Sequence, residues 1–317
     1  AVDARVRANE NVADLQPELV EAVLTIDLRQ MLANRIKRGD KETPSFHEVL
    51  RSLYPEIAAR AYLRSIRKDL GDGEQHPTGL YSFIDEPIFS AARRDVLLTL
   101  LDEFPLADPR ALEQLLQAAL ADPELHVGLY QRALSALANA ELGTERLARW
   151  RATAFLIQPL EGANPISEAL ALDANEIWPL RDFLGFKRHR DTAPWLLPIE
   201  AMSTLTLACG ATWPPADYPS DGWGGNQNPW DAADFVRSLI NRISASPSAT
   251  ATDALELLMN TPTINAYHNH IRHALAQQRV MRREAEYDRP DWVRTLQTLA
   301  NKSPANAADL YALAIDH

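Results

Sequence analysis

Apolar residues in this chain recur at helical spacing and almost never alternate. Leu19, Val23, Ile26, Leu28, Leu32 and Ile36 form a stripe near the 3.6-residue period, which predicts a first helix from Pro17 to about Lys37. Pro17 suits a first turn, the cations Arg35, Lys37 and Arg38 suit a last one, and Gly39 follows as a stop. Thr43-Pro44-Ser45 opens a second helix. Pro55 opens a third, through Ile57, Ala61, Leu63 and Ile66 to Leu70, closed by Gly71-Asp72-Gly73.

From Pro87 to Leu160 the rhythm becomes regular. Helices are predicted from Ser90 to Phe104, from Asp108-Pro109 to Leu120, from Asp122-Pro123 through Leu134, and from Gly143-Thr144 to Leu156. An Asp before Pro supplies both a capping oxygen and a pre-set first turn. Helices of this length joined by Asp-Pro corners read as stacked helical hairpins. A faint echo supports repetition. Leu115-Leu116, Asp122-Pro123 and Ala133-Leu134 are matched by Leu257-Leu258, Thr261-Pro262 and Ala274-Leu275. Such degenerate copies fit a HEAT-like array. Helices resume after Pro229-Trp230-Asp231, over Ala233–Ile243, Thr252–Asn260, Pro262–Arg283, Asp291–Leu299 and Asn306–Ile315.

The segment between breaks the rhythm. Pro194, Pro198, Pro214, Pro215, Pro219 and Pro229 crowd residues 181–230. The expected organisation is therefore an N-terminal helical array over 1–180, an irregular Pro/Trp/Gly-rich segment over 181–230, and a C-terminal helical array over 231–317. All belong to one all-α solenoid of stacked hairpins, about 14–18 helices in total.

Composition sharpens this picture. Twelve glycines against 21 prolines, with abundant Ala and Leu, disfavour a sheet-rich fold. A single cysteine, Cys209, excludes an internal disulfide and a Cys-based zinc knuckle, and makes a reducing, cytoplasmic setting the default. No apolar run reaches the ~18 residues that span a bilayer. The most apolar stretch, Ala201 to Ala211, is short and contains Ser203, Thr204 and Thr206. The chain starts without Met and ends on a helix-like stretch, which reads as a segment of a larger protein. Net charge is −11, and most of it lies in residues 71–180. An acidic middle argues against a nucleic-acid groove, which needs clustered Lys and Arg.

Four groups of residues offer candidate chemistry. Trp213, Tyr218, Trp223 and Trp230, with Asn226 among them, lie in the loop Trp213–Trp230. They offer aromatic contact area for a protein ligand, or anchors pinning the loop to the helices. His270 and His273 lie about 60° apart on a helix and are the weak candidates for a metal, as in a metal-dependent hydrolase. Such a site needs carboxylates from elsewhere, and exposed helix histidines are the simpler reading. Arg279, Arg282, Arg283, Arg289 and Arg294 are the candidates for nucleic acid, but Glu284, Glu286, Asp288 and Asp291 interleave with them. Lys187, Arg188, His189 and Arg190 form a shorter basic knot. Phosphate-loop, dinucleotide and nucleophile-elbow motifs are missing. The expectation is no catalytic residue, no cofactor and no membrane partner. Partners would be a protein ligand or other domains of a parent chain.

Short helices followed by Tyr287-Asp288-Arg289-Pro290-Asp291-Trp292, a leucine-bearing helix, and Ser303-Pro304-Ala305-Asn306-Ala307-Ala308-Asp309-Leu310 make up the last quarter. Residues about 235–317 resemble the helical C-terminal region of large bacterial NACHT-like (STAND) P-loop NTPases. The resemblance implies a sensor or scaffold array beside a nucleotide-binding module, in proteins many of which act in defence against phage. This chain contains no such module, so ATP hydrolysis passes to none of its residues.

Overall fold

Alanine, leucine and arginine dominate the helical stretches, and their low propensity cost lets short segments coil where a face can be buried. The computed structural model describes Val12 and residues 14–34, 46–184, 197–217 and 227–287. These residues form fourteen α-helices and five 3-10 turns, with no strand among them. The helices are α1 (Pro17–Asn34), α2 (Phe46–Leu53), α3 (Pro55–Gly71), α4 (Leu80–Asp85), α5 (Ser90–Glu103), α6 (Pro109–Leu120) and α7 (His126–Leu137). They continue as α8 (Thr144–Ile157), α9 (Pro159–Leu172), α10 (Ile177–Phe183), α11 (Ile199–Thr212), α12 (Pro229–Ser244), α13 (Ala249–Met259) and α14 (His268–Tyr287). The fold is all-α and built from packed helical hairpins. The helices expected over Asp291–Leu299 and Asn306–Ile315 lie outside the described residues.

The corners between helices share one chemistry. Asp122, Asn139 and Asp173 each accept, through a side-chain oxygen, the N–H two residues on, at 3.1, 3.0 and 2.9 Å. Each thereby opens a 3-10 turn leading into the next helix. Asp108 caps α6 in the same way, and Asn228 and Ser248 cap α12 and α13. The echoed halves have the same local form. Pro123–Leu125 and Pro262–Tyr267 are both 3-10 turns, and both deliver an alanine, Ala133 and Ala274, into the core.

Packing divides the chain between Ile157 and Gln158, whereas the sequence pattern had suggested boundaries at 180 and 230. In the N-terminal unit α1 packs on α3, α6 packs on α8, and α7 packs on α8. Tyr62, Phe83 and Phe89 form its aromatic centre, with ring centroids 4.9 and 5.4 Å apart. Arg51 donates to the Tyr62 hydroxyl at 3.2 Å and also pairs with Glu86. Burial pushes the Tyr62 phenol up, against the pull of the Arg51 cation.

In the C-terminal unit helices two apart in sequence lie side by side. α9, α11 and α13 form one layer; α10, α12 and α14 form the other. Here the sequence expectation needs correction, because α11 is a 14-residue helix inside the segment expected to be irregular. Its prolines flank it rather than interrupt it: Pro198 precedes it, and Pro214 and Pro215 follow. Ala201, Met202, Leu205, Thr206 and Cys209 are all buried on it, so it has no polar stripe to mark a period. Gln278 of α14 is fully buried. Its amide donates to the Ser246 and Ser248 carbonyls at 3.3 and 2.9 Å and accepts from the Thr252 hydroxyl at 2.8 Å.

Gly210 allows α11 its close approach to the α13–α14 corner. A Cβ there would sit 3.0 Å from Ile264 Cγ2 and 3.6 Å from Val236 Cγ1. At Gly128 of α7 the clash is with Leu98 Cδ1 at 2.9 Å, the far end of a flexible side chain. Alanine gains up to ~1 kcal/mol of helix propensity at either site, but overpacking a fixed core costs about 1–3 kcal/mol. Gly210→Ala should therefore lower stability in urea unfolding, and Gly128→Ala should be close to neutral. Equal effects would show that Ile264 yields as freely as Leu98.

Candidate functional site

The loop expected to offer aromatic contacts begins at Trp213, and the structure spends that residue internally. Its indole Nε1 donates to the Ala174 carbonyl at 3.0 Å, its ring tilts against Trp178 with centroids 5.6 Å apart, and its carbonyl accepts from Tyr267 Oη at 2.6 Å. Trp213 thus ties the end of α11 to two corners at once, the anchoring reading of its sequence position. Desolvation pushes the Tyr267 phenol well up. Trp178 in turn donates to Asn175 Oδ1 at 3.1 Å, and the Arg181 guanidinium lies 5.9 Å from its ring centre. Trp230 is half-buried near the start of α12 and already engaged there. Beside it Asp231 pairs with Arg181 at 3.0 Å and accepts the N–H of Gln227 at 3.1 Å. Tyr218, Trp223 and Asn226 lie outside the described residues.

The histidine pair is not brought together with other ligands. His270 contacts Asn241 Oδ1 through Nε2 at 2.9 Å, and His273 is exposed. Among the described residues no group of three or more His, Cys, Asp or Glu side chains is placed to hold a metal ion. In the basic stretch Arg279 pairs with Glu256 at 3.2 Å and Arg282 donates to the Thr252 hydroxyl at 3.0 Å. Arg289, Arg294, the Arg283 side chain and residues 187–190 lie outside the described residues. Cys209 is fully buried, and desolvation pushes its thiol far up, away from a reactive thiolate.

What the structure adds is a groove between α9 and α11 that sequence reasoning did not name. Trp213, just past the end of α11, bonds to Ala174, just past the end of α9, so the two helices run parallel. Between them lies an open depression of about 340 Å³, lined by Asn164, Ser167 and Ala171 of α9 and by Thr204, Leu207, Ala208, Ala211 and Thr212 of α11. The α9 residues recur at spacings of three and four, one helical face. The hydroxyl protons are used within the helices. Ser167, Thr204 and Thr212 each donate to the carbonyl four residues back, at 2.8, 3.0 and 2.9 Å. The floor thus presents mainly methyl and methylene groups, with the amide of Asn164 at one end. Leu160 and Leu172 stand 62% and 90% exposed at the two ends of α9. The only trace of this in the sequence is the stretch from Ala201 to Ala211, where small residues recur at helical spacing.

Comparison with protein-family models, with curated proteins and with solved structures returns no match for the chain. No helix among the described residues is long and apolar enough to cross a membrane.

Two measurements follow. Trp213→Ala removes the indole bond and the Trp178 contact together and should destabilise the C-terminal unit by about 2–3 kcal/mol in urea unfolding. Tyr267→Phe removes one hydrogen bond only and should cost about 1 kcal/mol. Equal losses would mean that the ring contact contributes nothing.

Partial burial holds the His270 imidazole below its ordinary pKa of 6.5. Arg237 and His273 push the same way, while a backbone hydrogen bond to Arg237 and the charge of Asp234 oppose them. The unfolded chain therefore binds more protons than the folded one between the two values. The stability His270 contributes is complete above pH 6.5 and is lost as pH falls through the lower, folded value. His270→Gln should flatten the acid-side decline in stability below that pH. A decline as steep as in the parent protein would assign the effect to other groups.

Proposed function

We propose that this chain is a non-catalytic helical-repeat scaffold or sensor segment that binds a protein ligand, and that the α9–α11 groove is its docking face. The observation carrying this reading is the groove's construction. Mostly small side chains at helical spacing on two parallel helices let the backbone of an incoming element approach closely, and exposed Leu160 and Leu172 stand at the two ends of α9. A volume near 340 Å³ is small for an enclosed ligand pocket, and this one is open to solvent, which suits the side chains of a helix laid along it.

The resemblance of residues about 235–317 to the arrays of NACHT-like NTPases supports the same reading. It suggests a larger bacterial parent with a nucleotide-binding module, acting against phage. A cytoplasmic setting fits a chain whose single cysteine is a free, buried thiol. Among the described residues no three metal-ligating side chains converge on His270 and His273, and Arg279 of the basic stretch is paired with Glu256, which supports this reading over the metal-dependent hydrolase and nucleic-acid ones.

A photoreactive phenylalanine analogue at Ala211, on the groove floor, should crosslink to a defined peptide of a partner protein in bacterial lysate. The same group at Val127, 77% exposed in the other unit, is the control. Equal adduct patterns at the two positions would sink the docking assignment.

A further inference from the structure

We infer that the groove's occupant is a basic amphipathic helix of a partner protein. This rests on the docking role proposed above and adds the partner's chemistry.

Neither α9 nor α11 contains a Lys, Arg or His. Glu161 and Glu168 lie on α9, Glu200 lies on α11, and Asp173 and Glu176 follow in the corner after α9. At about 100° per residue Glu168 sits roughly 40° round from Asn164, on the outer edge of the lining face. Glu200 lies one turn before Thr204, on the same stripe as the α11 lining. Because the helices run parallel, Glu161 and Glu200 share one end of the groove, while Asp173 and Glu176 share the other. Glu161, Glu168 and Glu200 are all exposed.

The backbone dipoles do not reverse this sign. Each helix N-terminus contributes about +0.5 charge, which offsets part of Glu161 and Glu200. Each C-terminus contributes about −0.5 and adds to Asp173. Arg181, the one base of α10, is committed to Asp231. The floor is mainly apolar, and among the described residues of α9, α11 and the corner 173–176 every charged side chain is acidic.

A helix with Leu, Ala or Met on one face and Lys or Arg flanking it matches both features. Its apolar residues meet the methyl floor, its alkyl stems cross the edge, and its cations reach the glutamates. Other occupants fit worse. A second copy of a chain with net charge −11 brings like charge to the rim, as do nucleic acid and anionic lipid.

The test uses the full chain and a fluorescently labelled peptide of about fifteen residues, with leucine at helical spacing and lysine between, beside a twin carrying glutamate for lysine. Anisotropy should report binding of the lysine peptide, weakening with salt, and little binding of the glutamate twin. Ala171→Trp and Ala211→Trp replace exposed residues and fill the floor; each should weaken the lysine peptide about tenfold or more. The double variant Glu168→Lys/Glu200→Lys should weaken it about as much. Asp72→Lys/Glu74→Lys makes the same change in net charge in the other unit and should leave affinity unaltered.

If the glutamate twin binds equally well and Ala211→Trp weakens both peptides, helices dock in the groove but the partner is not basic. The docking role then stands and this inference falls. If both tryptophan variants keep native circular dichroism and full affinity for the lysine peptide, or if no peptide binds, both fall. Equal losses from the rim and control charge reversals would reduce the attraction to net charge and overturn the inference.

Discussion

Most of these helices are too short to be secure alone in water; each persists because a neighbour covers its apolar face. Isolated helices below about 12–15 residues are marginal, and most here are of that length or shorter. Burial against the next helix and the one after it is the constraint from which the rest follows. Three corners that bring such faces together, at Asp122, Asn139 and Asp173, are built alike. The corners are accordingly chemical devices: an Asp or Asn side chain takes the N–H two residues on and turns the chain through a single 3-10 turn. Asp122 does this while also meeting Arg94 at 2.9 Å, and that hydrogen bond holds its carboxyl below the usual range. The exposed ion pair adds little by itself. The capping bond stays with the corner whatever the salt.

Side-by-side packing explains why a groove exists at all. α11 is surrounded by α9, α12, α13 and the Pro262–Tyr267 turn, and it fits among them because Gly210 has no side chain to keep Ile264 away. Small residues on its remaining edge face small residues on α9. Two helices meeting largely through alanine, serine and threonine leave a channel above the contact line, because most side chains there are too short to fill it. Those small residues shape the surface as well as the packing.

The legible parts of the fold were those governed by local chemistry. Asp-Pro and Thr-Pro corners, the stop at Gly71–Gly73, and the starts of α3, α5 and α6 follow from capping and turn preferences that a few residues express by themselves. The echo between Asp122-Pro123 and Thr261-Pro262 was legible for the same reason. α11 was not, because its open edge is made of small, largely apolar residues that mark no polar stripe, and its flanking prolines looked like breaks in the chain. The groove left almost no signal: alanine, serine and threonine advertise no chemistry, and only the pairing of α9 with α11 brings them opposite each other. Trp213 was visible as a large aromatic in a loop. Its use as an anchor depended on Ala174 and Tyr267, 39 and 54 residues away in sequence. His270 and His273 share a helix as expected, but the side chain hydrogen-bonded to His270 Nε2 is an amide rather than a carboxylate.

Gln278 carries a consequence of a different kind. An amide sealed from water, with its donors on two carbonyls and its oxygen on a hydroxyl, is satisfied at one axial setting of α14 and no other. A slip of one turn would bring Leu275 or Arg282 opposite the α12–α13 corner: the leucine offers the Ser246 carbonyl no donor, and the guanidinium offers the Thr252 hydroxyl no acceptor. Apolar contacts alone would tolerate such sliding, since one leucine ridge resembles the next. The buried amide thus sets the register of the final described helix, a specificity that the surrounding hydrophobic surface lacks the means to supply.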